Sequence, residues 1–247
     1  MLLKGKVGLV TGGASGIGEA IAKRMAAEGA SVLVADLDEA GGTRVSAEIG
    51  DVGGAATFQR TDVSSEESVK SMVDMALKTY GRLDLAANNA GIPQSPILLH
   101  EVDVALWDRI VGINEKGMFL CLRAEISAML ESGGAIVNTV STAGLKAIPQ
   151  LGAYTASKHS VVGITKQAAI DYIQCGIRVN GVAPGVVNTP LVQALPEHER
   201  RAYAARTPIG RLIEPGEIAS AVIWLMSDDS SQITGSILAV DGGQMLL

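Results

Sequence analysis

Short apolar runs alternate with longer amphipathic stretches from one end of the chain to the other. Runs of about four to eight β-branched or aliphatic residues predict strands, whereas apolar residues spaced three or four apart predict helices. The predicted strands are 6–11, 31–36, 55–60, 82–88, 134–140, 177–184 and 237–241, and the predicted helices are 16–29, 39–49, 65–80, 103–131, 153–174, 190–205 and 215–227. Because such alternation is typical of parallel sheets, the pattern predicts an α/β fold, a doubly wound parallel sheet of about seven strands with helices on both faces.

These elements use the chain from 1 to 247 without a linker, an internal repeat or a low-complexity tract. Since α/β folds of about 200 to 250 residues commonly form one unit, we expect a single domain over 1–247. Hydrophobic residues make up 47% of the chain, which is ample for a large core. The region 186–213 is irregular, with three prolines and the charged run "PEHERR". It is interpreted either as a solvated surface excursion or as a lid over a pocket.

The charge and the lengths of the apolar runs limit which partners and which cellular location we expect. The net charge is −6 and the twenty Lys and Arg residues are scattered, which argues against binding to nucleic acid. No run approaches the roughly 18 apolar residues of a membrane span, and the first apolar run leads into a glycine-rich turn rather than a cleavage site. We therefore expect no membrane segment and a cytoplasmic location.

Neither the cysteines nor the histidines form a metal-binding pattern. Cys121 and Cys175 could make at most one disulfide, and we interpret both as buried or interfacial thiols. The three histidines are far apart in the sequence, so we expect surface or interface positions for them and no metal ion.

The segment "TGGASGIG" follows the first predicted strand and opens the first predicted helix. Glycines at positions 12, 16 and 18 would let the backbone turn sharply and approach a pyrophosphate, which would then lie against the amides of the helix N-terminus. A tight turn without a ligand is the alternative. The segment alone is therefore a weak indication of a dinucleotide site in a Rossmann-like fold.

Asp36 strengthens that interpretation because it ends the second predicted strand, 18 residues after Gly18. A dinucleotide fold places there the acid that accepts hydrogen bonds from the adenosine ribose. A 2′-phosphate would face a like charge worth about 4 kcal/mol at roughly 4 Å and an effective dielectric of about 20. Its neighbours Ser15 and Leu37 offer no guanidinium, so the sequence predicts NAD rather than NADP; a helix-capping aspartate is the alternative.

Tyr154 and Lys158 are four residues apart in a predicted helix, on the same face. A tyrosine, with an ordinary pKa of about 10, needs a nearby cation to act as acid or base near neutral pH. The spacing indicates such a pair, although an incidental helix pair would look the same.

The combination of motifs resembles the short-chain dehydrogenase/reductase family over nearly the whole chain. The matching segments are "TGGASGIG", Asp36, "TDV" at 61–63, "NNAG" at 88–91, "IN" at 113–114, "IVNTVS" ending at Ser141, "YTASK" at 154–158, "APG" at 183–185, Thr189 and the terminal "VDGG". One departure is Val140, where many members carry a serine. The spacing of thirteen from Ser141 to Tyr154 is kept, so the catalytic serine is assigned to Ser141.

The resemblance implies roles for four catalytic residues. Tyr154 would exchange a proton with the substrate oxygen while hydride passes to or from the nicotinamide, and Ser141 would hold that oxygen by a hydrogen bond. Lys158 would lower the pKa of Tyr154 and hold the nicotinamide ribose. Asn114 would anchor a water that links Lys158 to solvent, although a purely structural hydrogen bond is the alternative.

The same resemblance implies a set of cofactor contacts along the carboxyl ends of the strands. Asn88 to Gly91 would run beside the adenosine ribose or brace the central strand. The implied NAD-binding residues are Gly12, Ser15, Gly16, Ile17, Gly18, Asp36, Leu37, Asp62, Val63, Asn89, Ala90, Gly91, Tyr154, Lys158, Pro184, Gly185, Val187 and Thr189.

The segments that would wall the substrate are mostly apolar. The implied pocket residues are Gln94, Leu145, Gln150, Val186, Leu191 and Val192. Lys146 is the one cation nearby and is expected to point to solvent, so the pocket predicts a neutral secondary alcohol or ketone rather than an anion. A reductase of 3-oxoacyl thioesters on a carrier protein and a non-catalytic NAD-binding protein are the alternatives. The family resemblance implies a homotetramer.

Overall fold

The computed structural model describes residues 1–247 and contains one sheet of seven parallel strands. Their order across the sheet is β3-β2-β1-β4-β5-β6-β7. The strands are β1 Val7–Thr11, β2 Ser31–Asp36, β3 Ala55–Arg60, β4 Leu85–Asn88, β5 Gly134–Thr139, β6 Ile177–Pro184 and β7 Ile237–Val240. The sheet therefore confirms the predicted doubly wound fold, with the reversal of strand order between β1 and β4.

Nine α-helices connect and cover the strands. They are α1 Gly16–Ala27, α2 Glu39–Asp51, α3 Glu66–Tyr80, α4 Val104–Val111, α5 Gly117–Met129, α6 Gly152–Tyr172, α7 Pro190–Gln193, α8 Glu197–Ala205 and α9 Pro215–Met226. No helix combines the length and the apolar character needed to cross a membrane.

The helices lie on both faces of the sheet because neighbouring strand residues point to opposite sides. Leu9 packs in one core cluster with residues of α3, α5 and α6, while the next residue, Val10, packs in a second cluster with residues of α1, α2 and α9. Each cluster contains more than twenty buried side chains, so the sheet is covered on both faces.

Two of the predicted helices are interrupted in the structure. The stretch predicted as one helix over 103–131 contains a π-helical turn at Gly112–Lys116, between α4 and α5. The stretch 190–205 is divided into α7 and α8, with Pro196 at the N-cap of α8, because proline cannot supply the amide that a continuous helix would need. The first interruption lies beside Ile92, just after β4, and α7 begins beside Gly16, just after β1.

Candidate active site

The glycine-rich loop links β1 to α1 in a shape that only glycine permits. Gly12 and Gly16 have φ angles of +65° and +55°. A side-chain carbon on Gly18 would lie 1.9 Å from the carbonyl oxygen of Gly12, so the loop packs directly on the first helical turn. Ser15 makes no side-chain hydrogen bond to that turn, which leaves its first amides directed toward the loop. This cradle fits a pyrophosphate at the helix N-terminus.

Asp36 is held at the end of β2 by two backbone amides. Its Oδ2 accepts a hydrogen bond from Ala14 N–H at 3.0 Å, and its Oδ1 accepts one from Asp38 N–H at 3.0 Å. Because each carboxylate oxygen can accept more than one hydrogen bond, the group still fits the two hydroxyls of a ribose. Leu37 beside it is exposed.

An arginine that the sequence interpretation missed lies against the same loop. Arg44 of α2 donates from Nη2 to the Ala14 carbonyl oxygen at 3.1 Å. It also pairs with Glu19 at 2.7 Å and with Glu48 at 2.9 Å. These carboxylates raise the pKa of the Arg44 guanidinium and offset its charge. The guanidinium braces the loop, and no local motif marks this role because Glu19 and Ala14 are 25 and 30 residues away.

Tyr154 and Lys158 lie one turn apart on α6, as their spacing predicts. Lys158 Nζ lies 5.8 Å from the centre of the Tyr154 ring and donates to the Thr139 carbonyl oxygen at 2.8 Å. Ser141 follows β5, and its Oγ accepts a hydrogen bond from Ala143 N–H at 3.1 Å, which leaves the serine hydrogen free to donate. The structure thus brings the tyrosine, the lysine and the segment after β5 together.

Asn114 lies in the π-helical turn, fully buried. Its Oδ1 accepts from Ile92 N–H at 2.8 Å, and its Nδ2 donates to the Ile92 carbonyl oxygen at 2.9 Å and to Ser157 Oγ at 3.3 Å. A side-chain carbon on Gly91 would lie 3.2 Å from Asn114 Oδ1 and 3.7 Å from Lys158 Nζ. Asn114 Oδ1 and Lys158 Nζ therefore both lie close to Gly91. Turns of π-helix often occur at functional sites.

Burial controls the ionisation of the central pair. It raises the pKa of the Tyr154 phenol, and a hydrogen bond with the Ser141 side chain lowers it in part. Burial also lowers the pKa of Lys158 to about 8. The expected lowering of the Tyr154 pKa by Lys158 is not seen, because the ammonium is directed to the Thr139 carbonyl rather than to the phenol oxygen. A lysine with a pKa of about 8 can exchange its proton near neutral pH, which suits a proton relay.

The "NNAG" segment divides its residues between two tasks. Asn88 donates from Nδ2 to Glu125 at 2.8 Å and to Asn138 at 3.1 Å, so it braces the centre of the sheet. Asn89 donates from Nδ2 to the carbonyl oxygens of Thr11 and Gly12, both at 3.3 Å. The segment therefore fixes the start of the glycine-rich loop as well as the central strand.

The remaining predicted cofactor residues lie along the same edge of the sheet. Asp62 accepts from Ser64 in the turn after β3. Val63 packs against Gly117 at the start of α5. Pro184 ends β6, Val187 forms a short parallel bridge with Ile213, and Thr189 lies against Gly16.

The predicted pocket residues are less uniform than the sequence suggests. Gln94 is buried, and both ends of its amide are already hydrogen-bonded to the start of α6. Gln150 is exposed with a φ of +65°, and Leu191 on α7 is 61% exposed. Lys146 does not point to solvent as expected, because its Nζ donates to the Gln244 carbonyl oxygen at 3.0 Å. Leu145, Val186 and Val192 are half-buried.

The two cysteines do not belong to this site. Cys121 is buried and Cys175 is exposed, so only the first has the predicted buried position. No three His, Cys, Asp or Glu side chains form a group that could hold a metal ion.

Comparison with known proteins gives consistent matches over the whole chain. A family model described as "Enoyl-(Acyl carrier protein) reductase" matches residues 12–245. A 2,5-dichloro-2,5-cyclohexadiene-1,4-diol dehydrogenase of Sphingobium indicum is 47% identical over 247 aligned positions, covering 98% of this chain and 97% of that protein. A cis-4-hydroxycyclohexanecarboxylate dehydrogenase of Sinomonas cyclohexanicum is 45% identical, covering 96% of each. The solved structure of gox2181 superposes with a TM-score of 0.96 at 36% identity, covering 99% of this chain and 97% of that one.

Proposed function

Because the chain belongs to the short-chain dehydrogenase/reductase family, we propose that it uses Tyr154 as acid and base, with NAD, to interconvert a neutral secondary alcohol and its ketone. The chain is an oxidoreductase that acts on CH–OH groups. The observation that carries the proposed mechanism is the half-buried Tyr154 paired with the buried Lys158, beside Ser141 and the Asn114 turn. Bound nicotinamide would accept or donate the hydride.

The roles of the four side chains follow from their contacts. In oxidation, Ser141 turns its hydroxyl hydrogen from the phenol to the substrate oxygen and holds that oxygen near the phenol. Tyr154 takes the hydroxyl proton, and Lys158, with a pKa of about 8, exchanges a proton with solvent. Asn114 fixes the loop at Ile92 and would hold the water that links Lys158 to solvent. Reduction runs the same steps backward.

Two features of the cofactor end support NAD over NADP. Asp36 is fixed by two amides at the end of β2 and would repel a 2′-phosphate. Arg44 is the nearby cation, and its guanidinium is occupied by Glu19 and Glu48. A preference for NAD disfavours a 3-oxoacyl thioester reductase, which usually takes NADPH. Such a reductase also binds an acidic carrier protein, which the net charge of −6 on this chain disfavours.

For the substrate, we propose a neutral secondary alcohol on a six-membered ring. Both relatives named above are dehydrogenases of hydroxylated six-membered carbocycles. The walls Leu145, Val186 and Val192 are apolar, and Lys146 is engaged by the C-terminal segment rather than free to bind an anion. A ring carboxylate should therefore bind more weakly than the unsubstituted ring alcohol.

Exposed apolar side chains support the homotetramer implied by the family. They lie on α4, α5, α6, α9 and the edge strand β7. These side chains are Trp107, Phe119, Ile170, Trp224 and Leu238. Sedimentation velocity of the purified protein tests the assembly. The single domain and the cytoplasmic location stay predictions from the sequence.

The test is an initial-rate assay of NAD reduction at 340 nm with cyclohexanol, cyclohexane-1,2-diol and 4-hydroxycyclohexanecarboxylate. We expect turnover of the neutral alcohols by the wild type and its loss in Tyr154→Phe, with NAD binding retained. Tyr172→Phe is the matched control, since this tyrosine ends the same helix outside the site. Full activity of Tyr154→Phe would refute the assignment of the proton donor.

A further inference from the structure

The helix that carries Tyr154 begins without a cap of its own. Leu151 occupies the N-cap position of α6, and its apolar side chain makes no capping hydrogen bond. The first amides of a helix have no partner within the helix, so a buried start needs acceptors from elsewhere. Tyr154 is the third residue of α6, and its N–H is one of these amides.

Gln94 supplies the missing acceptor from a distant loop. Its Oε1 accepts a hydrogen bond from Tyr154 N–H at 2.9 Å, and its Nε2 donates to the Gln150 carbonyl oxygen at 3.2 Å. The orientation of the amide is fixed because an N–H and a C=O face its two ends. The side chain is only 7% exposed, so water does not replace these bonds easily.

The loop around Gln94 is itself fixed at two further points. Asn114 binds both backbone groups of Ile92, and Ile97 N–H donates to the same Gln150 carbonyl at 2.9 Å. Gln150 is the one non-glycine residue with a positive φ, a conformation that needs support from its surroundings. The loop thus joins the Asn114 turn to the start of α6.

We propose that Gln94 is a positioning residue for the reaction: its amide caps α6 and fixes the distance between the Tyr154 phenol and the substrate oxygen. The proposal rests on the proposed function of Tyr154 as acid and base. Reactive groups must be held close to their productive geometry, so a small shift of the first turn lowers the rate of the chemical step. The binding of alcohol and NAD, which uses other groups, should change little.

The deciding variant is Gln94→Met, which keeps the length and removes the acceptor. With cyclohexanol and NAD, we expect kcat to fall at least tenfold while the KM of cyclohexanol and the Kd of NAD stay within about twofold. Gln167→Met is the control, because that side chain lies on exposed α6 surface and bonds only to Asp171. An unchanged kcat would overturn the proposal. So would a raised KM with unchanged kcat, since Gln94 would then contact the substrate.

Gln94→Glu separates positioning from general destabilisation. The carboxylate can still accept from Tyr154 N–H but cannot donate to the Gln150 carbonyl, so we expect kcat at its own pH optimum to recover in part, to a value clearly above that of Gln94→Met. Its negative charge should also move the rising limb of the oxidation pH profile to higher pH, because a nearby anion favours the protonated phenol. The proposal would be overturned if kcat of Gln94→Glu did not recover, its oxidation pH profile did not move, and both variants had a lower melting temperature. These results together would indicate a structural role only.

Amide hydrogen exchange keeps the cap testable if the wild type oxidises none of the alcohols. In that case the proposed function fails, but the peptide covering 152–158 should still exchange at least tenfold faster in Gln94→Met than in the wild type or in Gln167→Met. Equal exchange rates in all three proteins would refute the capping role of Gln94 as well.

Discussion

Glu125 is a buried carboxyl that the proposed reaction does not use, and it should make the stability of this protein depend on pH. It lies on α5, with no exposed surface. Its Oε2 accepts a hydrogen bond from Asn88 Nδ2 at 2.8 Å, while its Oε1 has no partner. Burial raises the pKa of Glu125 from 4.5 to about 7, and the Asn88 hydrogen bond offsets only part of this.

The sign and size of the effect follow from proton linkage. The folded state binds the Glu125 proton more tightly than the unfolded chain does, so the contribution is fully present below pH 4.5. It is lost as the pH rises through the folded pKa of about 7. A shift from 4.5 to about 7 corresponds to about 3 kcal/mol, of which most is lost between pH 5 and pH 8. Glu125→Gln keeps the shape of the protonated side chain and removes the titration.

Urea unfolding at pH 5 and pH 8, at one protein concentration, measures this contribution. We expect the free energy of unfolding of Glu125→Gln, relative to the wild type, to be higher at pH 8 than at pH 5 by about 2 to 3 kcal/mol. Glu131→Gln is the control, because that residue is exposed just after the same helix. If Glu125→Gln and the wild type differ by the same amount at both pH values, the carboxyl is not protonated in the fold and the reasoning fails.

Three further predictions concern the site itself. Lys158→Met should lose at least a hundredfold in kcat yet be no less stable than the wild type at pH 7. Burial lowers the pKa of Lys158 to about 8, so below pH 8 the buried ammonium destabilises the fold. A loss of more than about 2 kcal/mol in the free energy of unfolding in urea would contradict this. Gly18→Ala should lower the melting temperature and weaken NAD binding, since its side-chain carbon would overlap the loop backbone, whereas Gly163→Ala, with open space around it, should do neither. Asp36→Ala combined with Leu37→Arg should shift the ratio of kcat/KM toward NADP, and an unchanged ratio would show that Asp36 does not contact the ribose.

The fold could be predicted because each element carries its own signal. Seven apolar runs and the helical spacing between them determine the strands and helices locally, and right-handed crossovers leave few ways to connect them. The interruptions at Gly112–Lys116 and at Pro196 were harder to predict. The first has helical spacing on both sides, and the side chain of Asn114 within it bonds to Ile92, a partner 22 residues away.

The reactive groups could be identified from short motifs, but their surroundings could not. Arg44 meets the Ala14 carbonyl across 30 residues, and Asn88 meets Glu125 across 37, so no window of local sequence contains both partners. Glu125 lies four residues from Cys121 and from Met129, on the apolar side of α5, but no sequence pattern shows which groups it meets there. Only the packing of α5 on the sheet makes it a buried acid.

The position of Tyr154 illustrates the same limit at the centre of the site. The tyrosine and the lysine can be paired from a spacing of four, because one helix fixes both. The orientation of that helix depends on Gln94, which is 60 residues away and binds Tyr154 N–H, and on Asn114, which holds the intervening loop across 22 residues. An isolated "YTASK" motif therefore predicts the acid and base, whereas the geometry around them depends on two amide side chains that only the folded chain brings together.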